Sequence, residues 1–293
     1  MRLDDEQESG NFEIQGPGSS RAGFGGGGLG LLGMIVPFVF SRFGCGGLVV
    51  LGILALVFGG LGNVGSLLSG GGSTSTPHEQ TEPGQLTEIQ RTSLKVLGST
   101  ERRWTEIFAA SGQRYMPTTL VFYSRNGQSG CGAAQSAMGP FYCPADKKIY
   151  IDTQFFEEMK SRFNAPGDFP LAYIIAHEVG HHIQNLDGTA DRVNGAQQRA
   201  SRAQGNALQV AMELQADCYA GVWANNDSNL LEPGDVEEGL GAAQAIGDDT
   251  LQRAAGQRPV PESFTHGSSA QRQEWLTHGL KTGDPAQCNT FAS

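Results

Sequence analysis

The sequence predicts an α+β domain with its sheet in the N-terminal half and the functional helices after it, preceded by a single transmembrane helix. Two short segments, 119–123 and 148–152, are rich in β-branched and aromatic residues, which is typical of strands. Two later segments, 170–185 and 207–224, carry apolar residues at helical spacing. Strands that precede helices, rather than alternating with them, favour an α+β arrangement.

Composition narrows the class of protein. The chain has 293 residues, enough for one or two domains with a core of their own. Its formal net charge is −10, and no cluster of lysines and arginines is present. These features exclude nucleic acid as an expected partner. The sequence carries no signal for an oligomeric state.

The N-terminal part predicts a tail and a membrane anchor. Residues 1–28 are acidic and then glycine-rich, which predicts a disordered cytoplasmic tail. Within a membrane region at 29–68, residues 44–68 carry no charge, and a transmembrane helix at about 45–66 could cross a hydrocarbon core of ~30 Å. The shorter apolar run 29–40 is interpreted as a flank at the interface, with a membrane hairpin as the less favoured alternative.

The distribution of positive charge predicts the orientation. Arg21 and Arg42 precede the anchor, and no lysine or arginine follows until Arg91. By the positive-inside rule, the N-terminus is cytoplasmic and the globular domain lies outside in a single-pass membrane protein. Residues 69–85, rich in Gly, Ser, Thr and Pro, predict a flexible tether, and the globular domain covers 86–293.

Other elements are predicted in chain order. Residues 86–108 have the pattern of one amphipathic helix or of two, with Gly98 as a possible break. The Gly/Ser-rich passage 126–139 predicts irregular structure, and helices are expected over 155–163 and 270–280.

Four cysteines lie outside the membrane region. An even number outside a reducing cytoplasm indicates disulfides, and three pairings are possible. We favour Cys131–Cys143 as a local link and Cys218–Cys288 as a staple to the C-terminus. The alternative is four buried free thiols. Cys45, in the membrane region, is interpreted as a small apolar residue.

A His-Glu-x-x-His motif indicates a metal site. On a helix, His177 and His181 project from one face a turn apart, a spacing at which two imidazoles can bind one zinc ion. Glu178 is placed to act on a water at that metal. Asp168 is a candidate N-cap, and Gly188 a candidate stop. The alternative is two histidines on an ordinary buried helix.

A third protein ligand is needed, with the fourth position left for water. Glu213 and Asp217 lie four residues apart on a largely apolar helix, where carboxylates require partners. Glu213 is the predicted ligand, and Asp217 is predicted to accept the outer N–H of a ligand histidine. The alternative is that they pair with an arginine such as Arg199 or Arg202.

Three further residues were considered for the metal site, and two of them are candidates of lower rank. His182 follows His181 directly, points away from that metal, and is interpreted as a packing or surface histidine. His266 and Glu237 are the next candidates for the third ligand if Glu213 does not bind the metal.

Four segments carry a resemblance to a known family. Residues 139–146, 176–184, 213–218 and 264–272 together resemble the neutral zinc metallopeptidases of bacteria, over roughly 86–293 and in the arrangement of tail, membrane helix and tether. The His-Glu-x-x-His and Glu-x-x-x-Asp pair resembles the gluzincin peptidases. The resemblance implies a zincin-like fold, one zinc ion per domain and hydrolysis of peptide bonds.

On this interpretation, Glu178 is the general base, and His266 is the second catalytic residue as a donor to the oxyanion, with Arg272 as an alternative donor or brace. The substrate would add as a strand near Ser136–Phe141 or Ile149–Asp152. The leading function is a membrane-anchored zinc endopeptidase that acts on proteins or peptides. Alternatives are a zinc-stabilised binding domain, which would not need Glu178, and a hydrolase of non-peptide amides.

Overall fold

The computed structural model describes residues 1–16, 86–155 and 168–291, which form an α+β fold with small sheets. Strands occupy the N-terminal half and most helices follow them, as predicted. The strands are β1 (Phe12–Ile14), β2 (Thr119–Tyr123), β3 (Asn126–Ser129), β4 (Gly132–Gln135), β5 (Phe141–Cys143) and β6 (Lys148–Asp152). The helices are α1 (Glu88–Ala110), α2 (Phe169–Leu186), α3 (Thr189–Gln197), α4 (Arg202–Asn226), α5 (Asp235–Ala245), α6 (Asp248–Ala254) and α7 (Ser269–Thr282).

Some predicted segments lie outside the described residues. These are the membrane region 29–68 with its helix at about 45–66, the tether 69–85 and nearly all of the helix predicted at 155–163. In the part of the chain that the structure describes, none of the helices combines the length and the apolar character needed to cross a membrane.

The main sheet has the strand order β1-β2-β6-β5. Strands β1, β2 and β6 run parallel, and β5 pairs antiparallel with β6 at one edge. Alternate side chains of β2 and β6 enter two cores, because successive residues of a strand point to opposite faces. Leu120 and Ile149 belong to the large core shared with the helices, whereas Val121 and Tyr150 belong to a small core on the other face. The predicted strands 119–123 and 148–152 have the same bounds as β2 and β6 in the structure.

The passage 126–139, predicted as irregular, contains an antiparallel hairpin of β3 and β4. Ala134 is its only fully buried apolar side chain, which explains why composition did not indicate the hairpin. A disulfide joins Cys131 in the hairpin turn to Cys143 in β5, and the second disulfide joins Cys218 to Cys288. Both pairs are the ones that the sequence analysis favoured.

The prediction of a disordered tail over 1–28 is wrong for its first sixteen residues. Strand β1 extends the main sheet, and Leu3 is buried in the large core. Of the two alternatives for 86–108, one helix or two with a break at Gly98, the structure has the single helix, since α1 is continuous from Glu88 to Ala110. A Cβ atom at Gly98 would lie 2.4 Å from the carbonyl oxygen of Gln7, so this glycine marks a close approach by the N-terminal segment.

Helices α2, α4 and α7 form the centre of the helical half. Helix α2 lies between α4 and the sheet, and α4 packs along α7. Helix α4 begins five residues earlier than predicted, because Ser201 and Gln204 form a reciprocal capping box at its N-terminus. Helix α7 begins with a similar box formed by Ser268 and Gln271.

Candidate metal centre

The motif helix α2 is buried along almost its whole length. Pro170 occupies its first turn, where a missing N–H costs nothing. Asp168 stands at the predicted N-cap position, but its side chain makes no capping hydrogen bond. The helix ends at Leu186, and Gly188 follows with a positive φ of 77°. These terminal features place His177 and His181 in the middle of a rigid, buried element.

Close packing between α2 and α4 brings the second helix to the motif. A Cβ atom at Gly180 would lie 2.9 Å from the Cα atom of Ala216, closer than real side chains approach. A glycine within the motif therefore allows the two helix backbones to approach each other closely. Glu213, which is one helical turn from Ala216 on α4, consequently reaches the two histidines.

Three side chains converge at this crossing. The Oε2 atom of Glu213 lies 3.2 Å from Nε2 of His177 and 3.5 Å from Nε2 of His181. All three donor atoms lie within 4.8 Å of one another, and theirs is the only such cluster found among residues 1–16, 86–155 and 168–291. Two ligands bound about 2.0–2.1 Å from a tetrahedral zinc lie about 3.3–3.5 Å apart. The donor set and the two distances from Glu213 to the histidines therefore fit one zinc ion.

The pKa values of this cluster describe the metal-free protein. Burial lowers the pKa of His181, but the attraction of the Glu213 carboxylate outweighs it and raises the value to about 9. Burial raises the pKa of Glu213, but the two histidines lower it well below its ordinary value. The imidazoles must lose protons to bind a metal, so metal binding should weaken as the pH falls.

Asp217 orients the first histidine. Its Oδ1 atom lies 2.8 Å from Nδ1 of His177, which directs Nε2 of that ring towards Glu213. The Tyr173 hydroxyl donates to the same carboxylate at 2.6 Å, and Arg272 donates to both of its oxygens at 2.9 Å. Burial raises the pKa of Asp217, but Arg272 and His177 lower it to about 2.

An arginine does pair with Asp217, but it is Arg272 from α7 and not Arg199 or Arg202. Because the Arg272 guanidinium is buried and holds Asp217 with two parallel hydrogen bonds, it braces the site.

Gln184 orients the second histidine, a contact that the sequence analysis missed. Its Oε1 atom lies 2.9 Å from Nδ1 of His181, and its amide donates to the carbonyl of Met212 at 2.8 Å. The Gln184 amide also donates to Oε1 of Gln215, whose own amide donates to the carbonyl of Cys288 at 2.9 Å. The sequence could have indicated this contact, because His181 and Gln184 are three residues apart and such residues are neighbours on a helix.

His182 is buried. Of the two interpretations, a packing histidine or a surface histidine, the first is therefore correct. Its Nε2 atom donates to the carbonyl of Met116 at 2.6 Å, and its Nδ1 atom accepts from the hydroxyl of Tyr142 at 3.1 Å. Burial lowers its pKa, in agreement with a neutral ring. His182 thereby ties β5 to the motif helix.

Glu178 differs from its neighbours in having no protein partner among the described residues. The side chain is largely buried, and no hydrogen bond from those residues reaches its carboxylate. Its charge nevertheless lies close enough to raise the pKa of His181. A carboxylate left free beside a metal-binding cluster is available to a water molecule.

His266 lies on the loop before α7, which begins at Ser269. Asp248, the first residue of α6, holds this loop by accepting the backbone N–H groups of Thr265, His266 and Gly267 at 2.7, 2.7 and 3.1 Å. Its other oxygen lies 3.4 Å from Nδ1 of His266. The charge of His266 contributes to the lowered pKa of Glu213, so the ring lies within electrostatic range of that carboxylate.

Neither alternative third ligand belongs to the cluster, which holds Glu213 and not His266 or Glu237. Glu237 is exposed on the first turn of α5. Asp248 was missed by the sequence analysis, and no sequence signal distinguishes it, because its partners lie 17 to 19 residues away.

One predicted substrate strand is unavailable. Residues Ile149–Asp152 belong to β6, which is paired with β2 on one side and β5 on the other. Strand β5 pairs only with β6 among the described strands, so its outer edge remains free. This edge lies beside the motif helix, because Tyr142 of β5 contacts His182.

Two histidines one turn apart and a glutamate from a second helix form a group that could hold one metal ion, with the His-Glu-x-x-His spacing. The family described as "Putative neutral zinc metallopeptidase" matches residues 1–291, and the chain belongs to that family.

The chain is similar to two curated bacterial proteins of known sequence. It is 44% identical to the uncharacterized protein YpfJ of Escherichia coli (strain K12) over 294 residues, 99% of each chain. It is 48% identical to the uncharacterized protein Rv2575 of Mycobacterium tuberculosis (strain ATCC 25618 / H37Rv) over 192 residues, 61% of this chain and 64% of the relative. No solved structure matches the chain.

Proposed function

We propose that this protein is a zinc-dependent endopeptidase of the gluzincin type, anchored at a membrane by its apolar segment. The observation that carries the proposal is the convergence of His177, His181 and Glu213 beside the unpartnered carboxylate of Glu178. A metal site with a purely structural role has no use for such a carboxylate. Membership of a zinc metallopeptidase family supports the same activity.

His177, His181 and Glu213 would hold the zinc ion, which when bound supplies Lewis-acid activation of a water and of a carbonyl. The Glu178 carboxylate accepts the proton of the attacking water and delivers it to the leaving amine nitrogen. His266 donates a hydrogen bond to the carbonyl oxygen as negative charge develops on it. Asp248 holds the backbone of that loop during the reaction.

The free edge of β5 is the proposed site for the substrate backbone. An extended peptide can add to an exposed strand through main-chain hydrogen bonds, with little demand on its sequence. Because Tyr142 and His182 fix β5 against α2, a peptide paired with β5 would lie beside the motif helix. A protein or peptide substrate is therefore proposed, rather than a small amide.

The test compares the parent protein with Glu178→Gln for zinc content and for cleavage of an unfolded protein. Glutamine keeps the size of the side chain but cannot accept the proton, so zinc should remain at one ion per domain while cleavage is abolished. Equal cleavage by the variant would contradict the proposal. A parent that binds zinc and cleaves no peptide bond would favour the zinc-stabilised binding domain.

A further inference from the structure

We infer that residues 1–16 are an integral part of the metal-binding domain, and that residues 16 and 86 therefore lie on the same side of any membrane that the intervening chain enters. The charge distribution alone predicts the opposite, with the N-terminus and the domain separated by a single crossing. The inference depends on the contacts that residues 1–16 make with the described parts of the domain.

The first contact is strand pairing. Strand β1 lies parallel to β2 at the sheet edge opposite β5. The N–H of Leu120 donates to the carbonyl of Asn11 at 2.9 Å, and the N–H of Gln15 donates to the carbonyl of Phe122 at 2.8 Å. Pairing of this kind covers an edge that would otherwise expose unsatisfied backbone groups.

The second contact is with α1. The N–H of Ser9 donates to the carbonyl of Leu94 at 2.9 Å, and the Lys95 ammonium donates to the carbonyl of Leu3 at 2.8 Å. The Leu3 side chain is itself buried in the large core. The segment passes so close to α1 that Gly98 leaves no space for a Cβ atom.

The third contact is electrostatic. Glu6 pairs with Arg102 at 2.8 Å, and Glu13 pairs with Lys148 at 2.6 Å. The acidic residues that predict a disordered tail thus face basic residues of the domain. Such pairs are individually weak when exposed, but they match the charge of the segment to the surface that it covers.

A sheet hydrogen-bonded across adjacent strands cannot straddle a hydrocarbon core of ~30 Å. Residue 16 and residue 86 therefore lie on the same side. The two disulfides of the domain favour the side outside the reducing cytoplasm for both residues.

The test labels single introduced cysteines with a membrane-impermeant maleimide in the full-length protein, in a Cys45→Ser background. Asp5→Cys reports on the N-terminal segment and Glu274→Cys on the domain, both at exposed positions. We expect both sites to react in intact spheroplasts. Reaction of Glu274→Cys in intact cells with reaction of Asp5→Cys only after lysis would overturn the inference.

Reaction of both sites only after lysis would support the inference that the N-terminal segment and the domain lie on the same side. It would also show that this side is the cytoplasm. These outcomes are independent of the proposed peptidase activity, because no cleavage is measured.

A second measurement tests the docking itself. Gly98→Ala should lower the thermal midpoint, because the new methyl group displaces the backbone of residues 7–9. The matched control is Gly241→Ala, also inside a helix but with no atom within 4 Å of the new Cβ, which should raise the midpoint by about 2–4 °C. If Gly98→Ala raised the midpoint as the control does, the segment would not be docked and the inference would fall.

Discussion

The two sides of the metal centre are held in different ways. On the helix side, His177, His181 and Glu213 project from α2 and α4, whose backbones touch at Gly180. On the loop side, His266 projects from a segment held mainly by hydrogen bonds to one carboxylate, Asp248. The helix side is fixed by packing, and the loop side by polar contacts at its base.

This difference suggests a division of tasks. Metal ligands must keep fixed positions, which rigid packed helices provide better than loops. A donor to developing charge acts only as the reaction proceeds, so the role proposed for His266 does not require a position on a packed helix. Changes on the helix side should therefore alter metal occupancy, whereas changes on the loop side should alter turnover at constant occupancy.

The largest effect is expected from Gly180→Val. The added side chain would force α2 and α4 apart at Ala216 and withdraw Glu213 from the histidines, so stoichiometric zinc and all cleavage should be lost. Zinc content by mass spectrometry and helix content by circular dichroism would be measured together. The matched control is Gly195→Ala in α3, where the new Cβ meets no atom within 4 Å and zinc should be retained. A folded Gly180→Val variant with full zinc would refute the packing argument.

The same division explains what the sequence could predict. The histidines and Glu178 were predictable because helical spacing is local, and Glu213 because carboxylates on an apolar helix need a partner. Asp248 was not predictable, because it acts on backbone groups that are distant in sequence.

Residues 1–16 were mispredicted for a related reason. Their composition is polar, and they are held by strand pairing and by ion pairs with the domain, neither of which leaves an apolar pattern. The hairpin of β3 and β4 was missed because it is held by backbone hydrogen bonds between two strands of a Gly/Ser-rich passage. Strands β2 and β6 and helices α1, α2, α4 and α7 were predicted from composition and side-chain periodicity, whereas β1 and the hairpin were not. The short helices α3, α5 and α6 were also not predicted.

The next largest effect is expected from His266→Ala. Loss of one oxyanion donor should lower kcat by about 10²–10³-fold while KM changes less. Zinc content should stay at one ion per domain, because His266 is not in the ligand cluster. Steady-state kinetics and metal analysis of the same preparation would check this. Loss of zinc in the variant would show that His266 supports metal binding, as the residues on the helix side do.

A smaller effect is expected from Asp217→Asn. The amide cannot accept hydrogen bonds at both positions, so His177 would be less well oriented and zinc affinity should fall by about 10–100-fold. Arg272 would also lose its charged partner in a buried site, so unfolding should require less denaturant. Zinc titration against a competing chelator would measure the affinity. Unchanged affinity with lowered stability would make Asp217 a purely structural partner of Arg272.

The smallest effect is expected from Asp248→Asn, which tests whether one carboxylate holds the loop side. An amide oxygen can still accept two of the three backbone N–H groups but loses the charge that faces His266, so turnover should fall on the order of tenfold through misplacement of the loop. Zinc content should not change. A variant that also loses zinc would show that the loop supports the ligands.

The pH dependence of stability gives a second readout for Asp248. Burial raises the pKa of its carboxyl, but the hydrogen bonds and charge of His266 and the backbone N–H groups outweigh it, so the folded pKa lies below the ordinary value. A depressed pKa contributes stability that is complete above the unfolded value of about 3.9 and is lost as the pH falls through the folded value. Denaturant unfolding from about pH 6 down to pH 3 should therefore show a steeper loss for the parent than for Asp248→Asn. Parallel curves would mean that the carboxylate gains nothing from the loop, and His266 would then be held by some other contact.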